Sequence, residues 1–153
     1  MTELRRYSAA QPILRQGVAE AEQARVHDPA DEETARWSKI LSQAYAQNLS
    51  FMGRIDEAMP IFEAMQAETG RAWRANPKDA SRLRDHAMAV VMTGEGQAAA
   101  GQTKAGCQTD ARARALFLKL KSMGKLTGFD ADHNLQRLDE RSAKNCDTSA
   151  IRP

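Results

Sequence analysis

Between His27-Asp28-Pro29 and Gly53, large apolar residues stand at Trp37, Leu41, Tyr45, Leu49 and Met52. Steps of four, four, four and three line one face of a helix, so the pattern predicts a helix over 31–52, with no interior Gly or Pro. Gly53 is free to take positive φ at its end, and Asp56 is a suitable N-cap for the next helix. There Ala58, Ile61, Phe62 and Met65 form the inner stripe. Pro60 sits at the end of the first turn, where few backbone donors have intrahelical partners, and Pro77 marks the stop. The next segment repeats the plan: Asp79 or Ser81 caps a helix through Leu83, Ala87, Val90 and Val91. Thr93-Gly94-Glu95-Gly96 should bend or fray that helix, because each glycine costs about 1 kcal/mol relative to alanine. After Gly101, a helix from about Lys104 to Met123 has Leu116, Phe117 and Leu120 on its inner side. A loop with Gly124 and Gly128 leads to a polar last helix from Asp130, with Leu135 and Leu138 as its sparse apolar residues.

The chain is also self-similar. Ser8 to Pro29 lies without gaps over Asp56 to Pro77, an offset of 48 residues. Ala10 meets Ala58, Pro12 meets Pro60, Ile13 meets Ile61, Leu14 meets Phe62, and Pro29 meets Pro77. The same offset carries Arg36 onto Arg84, Gly53 onto Gly101 and Ala58 onto Gly106. A period of this length suits a pair of helices with two turns.

A helical hairpin with small residues at the crossing points and a glycine before the turn is the tetratricopeptide repeat plan, and the chain resembles that family over nearly its full length. In the second repeat Gly94, Gly101 and Gly106 fall at the family's spacing; in the first, Ala46, Gly53, Ala58 and Phe62 do. The period exceeds the usual ~34, so these look like longer-helix variants. Two positions depart from the pattern: Asp110 stands where an aromatic is preferred and Thr93 where leucine is. The resemblance implies an all-α solenoid of stacked antiparallel hairpins forming a single domain over 1–153. Its parts would be a returning helix at 8–27, hairpins at 31–77 and 79–123, and a capping helix at 130–146. Because 8–26 matches the second helix of a pair, the chain reads as part of a larger protein. The tail, from Gly106-Cys107 through Met123-Gly124-Lys125-Leu126 and Asp130-Ala131-Asp132 to Cys146, is similar to the end of repeat arrays attached to bacterial membrane serine/threonine kinases and related signalling proteins. In those proteins the array often lies across the membrane from the catalytic domain, which places this segment outside the cytoplasm, in the periplasm.

Cys107 and Cys146 match that tail, and an antiparallel hairpin of the last two helices would bring them together. A bridge would imply an oxidising compartment; the alternative is two separate thiols, one a small buried hydrophobe and one exposed. The family's groove positions fall on Arg36, Gln43, Gln47 and Ser50 in the first repeat and on Arg84, Val91, Glu95 and Ala98 in the second. Two guanidinium groups in such a groove would suit a carboxylate or phosphate. The competing expectation is that Arg36 and Arg84 are solvated or paired with nearby acids such as Glu33 and Asp85. Trp73, flanked by Arg71, Arg74 and Lys78, is either a partner anchor or a packing residue.

Composition narrows the function classes. Twenty-two Lys and Arg balance twenty Asp and Glu in 153 residues, so no basic field favours nucleic acid. The longest apolar run, Ala87 to Met92, is far below the roughly 20 residues of a membrane helix. MTELRRYSAA shows no signal-peptide pattern. His27, His86 and His133 stand far apart without a nucleophile at supportive spacing, and no zinc box or kinase motif is present. The expected protein is not an enzyme and needs no cofactor or metal. It is a scaffold or sensor module that binds a protein or peptide in its groove. Self-association through the apolar edge of an unpaired first helix, or sensing of a small ligand or envelope fragment at Arg36 and Arg84, is the alternative.

Overall fold

A computed structural model describes residues 2–146. They are all-helical, with no strand among the described residues: α1 (Thr2–His27), α2 (Glu32–Phe51), α3 (Ile55–Ala75), α4 (Ala80–Ala99), α5 (Thr103–Ser122), a π-helical segment (Asp130–Leu135) and α6 (Gln136–Asn145). They form two compact units, one up to Met65 and one from Gln66 onward, so the dividing point falls inside α3.

The 48-residue period reappears in the helix ends. Asp31 caps α2 by accepting from the Glu33 and Thr34 amides at 3.1 and 3.2 Å, and the Thr34 hydroxyl donates to the same carboxylate. Asp79 caps α4 in the same way through the Ser81 and Arg82 amides, at 2.9 and 3.2 Å. Each helix ends on a glycine at φ 76°, Gly53 or Gly101. The Arg54 amide donates back to the Leu49 carbonyl at 2.9 Å, and Gln102 to Gln97 at 2.8 Å. These six-to-one bonds satisfy carbonyls the helix leaves open, and only glycine takes that backbone without strain.

Three expectations are corrected. Trp37 is not on the inner face of α2: it is 53% exposed, while Ser38, Ala46, Asn48 and Leu49 are buried. Steps of four overshoot the 3.6-residue turn, so over twelve residues the row drifts off the face that Leu49 occupies. Asp56 does not cap α3, which begins at Ile55; the Arg54 carbonyl already accepts from the Glu57 and Ala58 amides at 3.2 Å. α4 runs unbroken through its glycines instead of fraying there, and both Gly94 and Gly96 are buried. A Cβ at Gly94 would collide with the Asp110 carboxylate, and one at Gly106 would lie 3.3 Å from the Gly94 carbonyl oxygen. The glycines let α4 and α5 cross closely, and that packing outweighs their low helix propensity.

In the C-terminal unit one apolar core joins Leu83, Ala87, Val90 and Val91 of α4, Ala113, Phe117 and Leu120 of α5, and Leu138 of α6. The closing helix forms in two pieces. Its start is held by Thr127, whose hydroxyl accepts from the Asp130 amide at 3.0 Å and donates to the Asp130 carboxylate at 2.8 Å. In the N-terminal unit α1 packs on α2: Gly17 meets Leu41, the Asn48 side-chain amide donates to the Tyr7 carbonyl at 3.0 Å, and Tyr7 stacks on Phe51.

Candidate functional site

The expected groove residues divide between the two units, and they meet different fates. In the C-terminal unit the chain's own closing segment engages them. Arg84 donates through Nε and a terminal nitrogen to the two oxygens of Asp130, at 2.7 and 3.0 Å. Asp130 is fully buried and also accepts from Thr127 and, at 2.8 Å, from Asn134. Four donors thus complete its oxygens, the condition for burying a carboxylate. Burial works to raise the Asp130 carboxyl, but the hydrogen bonds from Arg84, Thr127 and Asn134 outweigh it and hold it below its ordinary range. The Asp130 hydrogen bond in turn raises Arg84 against the pull of burial. The hydrogen-bonding partner of Arg84 is therefore the distant Asp130, while the neighbouring Asp85 adds only its charge.

Val91 belongs to the core. Glu95 accepts from Arg137 at 2.9 Å and from Arg141 at 2.8 Å. Arg141 also grips both oxygens of Asp110, at 2.5 and 2.6 Å, and Asp110 is buried. Asp110 thus anchors α6 to α5. Burial lowers Arg141, yet hydrogen bonds to Asp110 and Glu95 leave it raised overall. Cys107 and Cys146 form a disulfide, with Cα atoms 5.8 Å apart, tying α5 to the end of α6.

In the N-terminal unit the equivalent residues of α2 are exposed or half-buried. Arg36 is exposed and has no hydrogen bond or ion pair among the described residues; Glu33 does not bind it. Gln43, Gln47 and Ser50 are half-buried. Beside them Trp37, Ile40 and Phe51 stand 53, 42 and 60% exposed. No motif marks these three as surface residues, because periodicity alone puts Trp37 with the core; only the packing of α1 onto α2 separates them.

Trp73 is a packing residue. It is half-buried against the core, stacks on His86 with ring centroids 5.6 Å apart, and carries the Lys119 ammonium 4.8 Å above its ring. His86 is buried, 3.1 Å from the Thr69 hydroxyl and against Gly70. Burial, then the charges of Arg112 and Arg74, push its pKa down. No spacing in the sequence signals this stack, because its residues lie on three helices.

Among the described residues no group of three or more His, Cys, Asp or Glu side chains is placed to hold a metal ion, and no helix is long and apolar enough to cross a membrane. No protein-family description, curated protein or solved structure was found to match the chain.

Proposed function

We propose that the chain is a non-catalytic protein- or peptide-binding module of the tetratricopeptide type, acting as a scaffold or sensor in a bacterial signalling protein. The observation that supports it is on α2, where Arg36, without a hydrogen bond or ion pair among the described residues, adjoins exposed Trp37 and Ile40. Aromatic, aliphatic and arginine side chains in one patch are the composition of a protein interface. Arg84, Val91 and Glu95 of the second repeat are already engaged within the chain, so the binding surface is narrowed to α2, at Arg36, Gln43 and Ser50 with exposed Trp37 and Ile40 beside them. The Cys107–Cys146 bridge favours an oxidising compartment, in keeping with an extracytoplasmic segment.

The reading is tested by placing a photo-crosslinking residue at Gln43 and irradiating source cells. Protein adducts should form and disappear with Trp37→Ala. No adduct, or adducts indifferent to Trp37→Ala, overturns it.

A further inference from the structure

One side of the C-terminal unit gathers cations without acids. Residues 69–78 of α3 and 111–122 of α5 contain no Asp or Glu. Arg74 and Arg112 have no hydrogen bond or ion pair among the described residues, and the Lys119 ammonium is engaged only with the Trp73 ring, 4.8 Å from its centroid. The acids that border these stretches are bound to other arginines: Asp79 pairs with Arg82, and Asp110 with Arg141.

The three cations converge on His86. A Cβ placed on Gly70 would stand 3.0 Å from His86 Cε1 and 3.3 Å from a terminal nitrogen of Arg74, so the guanidinium lies beside the imidazole, in a space that a larger residue would crowd. Trp73 stacks on the same imidazole, ring centroids 5.6 Å apart, and holds Lys119 over its own ring. Arg112 stands two turns before Lys119 on α5, and so on the same side of that helix; its charge is also felt at His86. The Trp73 indole N–H is buried and has no acceptor among the described residues. Positive charge and donors are thus in excess here.

We propose that Arg74, Arg112 and Lys119 bind a free tetrahedral oxyanion, phosphate or sulfate, on the surface beside His86. The site lies within the C-terminal unit and is independent of the reading of α2. Charge and shape select the ligand. Three cations held together repel one another, and a doubly charged anion between them turns that repulsion into attraction. A carboxylate is filled by a single guanidinium fork, whereas donors arriving from both α3 and α5 suit an anion that accepts on every side. All three side chains donate and none accepts, so the anion is taken up without its protons.

His86 links the anion to a proton. Arg74 faces it from α3 and Arg112 from α5, with Lys119 beyond Trp73; on α4 the adjacent Asp85 acts on Arg84, and Arg82 is paired with Asp79. An anion that neutralises Arg74 and Arg112 removes two of the causes that hold the His86 pKa down and leaves burial. His86 should therefore take its proton more readily when the anion is bound, and by reciprocity the anion should bind more tightly once His86 is protonated.

Thermal melts of the full chain at neutral pH and constant ionic strength test the proposal. Exposed charges make a weak site, with a dissociation constant on the order of 1 mM. At about twenty times that concentration, inorganic phosphate should raise the melting temperature by roughly 5 °C over chloride. Phosphate also stabilises folded proteins generally, by exclusion from their surface, so the share of the site is the part lost in the double variant Arg74→Gln, Arg112→Gln. Both arginines are exposed, and the variant should keep the fold. An equal gain in the variant overturns the proposal. The second measurement follows the histidine rings by NMR in the unmodified chain. In sulfate, whose charge is constant over the range, His86 should titrate at higher pH than in chloride, while His27 and His133 move less. All three moving equally, or His86 not moving, overturns the proposal. Vesicles of an anionic phospholipid are the remaining arm. If the chain sediments with them and gains nothing from free phosphate, the free anion is refuted and the cations belong to a membrane surface.

Discussion

Helices α2 and α4 occupy the same place in a 48-residue repeat, share an aspartate cap and a glycine stop, and carry arginine at equivalent positions 36 and 84. Yet Arg84 is clamped by a buried carboxylate while Arg36 has no hydrogen bond or ion pair among the described residues. The difference originates in the closing segment of the C-terminal unit. Behind α4 and α5 the chain supplies Asp130 opposite Arg84, Leu138 for the core, Arg141 for Asp110 and Glu95, and a cysteine that meets Cys107. Equivalent side chains can therefore be structural in one repeat and available in the next, and the role is set by the neighbour the fold supplies.

The contrast can be broken at the disulfide first. The bridge closes a separation of 39 residues, for which the chain-entropy account gives about 4 kcal/mol of stabilisation. Replacing Cys107 and Cys146 by serine should lower the unfolding free energy by that order in urea titration. The midpoint should then become insensitive to dithiothreitol. Next comes the clamp. Asp130→Ala strands the half-exposed Arg84 and two further donors, and should cost about 3 kcal/mol, the lower end for breaking a buried pair because Arg84 keeps contact with water. Arg36→Ala should leave the melting temperature unchanged. A stability loss at Arg36 similar to that at Asp130 would refute the distinction between the two faces.

A smaller effect should appear with pH in the C-terminal unit. Burial, and then the charges of Arg112 and Arg74, lower the His86 pKa below the ordinary 6.5, so the fold favours its neutral form. The unfolded chain binds a proton at that site before the folded chain does. Its stabilising contribution is thus fully present above pH 6.5 and is lost as the pH falls from there through the lowered folded value. Thermal melts should show stability declining below pH 6.5, and His86→Gln should flatten that decline. A slope that survives the substitution would assign the effect to another group.

How far the sequence can be read depends on the range of the forces involved. Caps and stops are legible at Asp31, Asp79, Gly53 and Gly101, since the chemistry of a helix end involves residues a few positions apart. The all-α class and the paired helices come from periodicity, and the Cys107–Cys146 pairing from the tail's resemblance. Trp37 is misplaced by periodicity because a row of apolar residues at steps of four wraps around a helix, and only the neighbour decides which part of it is inside. The glycines of α4 look like weaknesses for a related reason. Propensity is a property of the single helix, whereas Gly94 and Gly106 serve the crossing of two.

Local backbone preferences, and so the amino-acid order alone, set the apolar periodicity of the helices, their ends and their repeat. Tertiary structure decided which charges are spent. Asp130 lies 46 residues from Arg84, and Arg141 lies 31 from Asp110. Nothing along the chain marks those pairs before packing brings them together. Burial then leaves each carboxylate no water to bind and makes its partner obligatory. Arg36 has no such partner among the described residues, and Arg36, Trp37 and Ile40 stand at the surface.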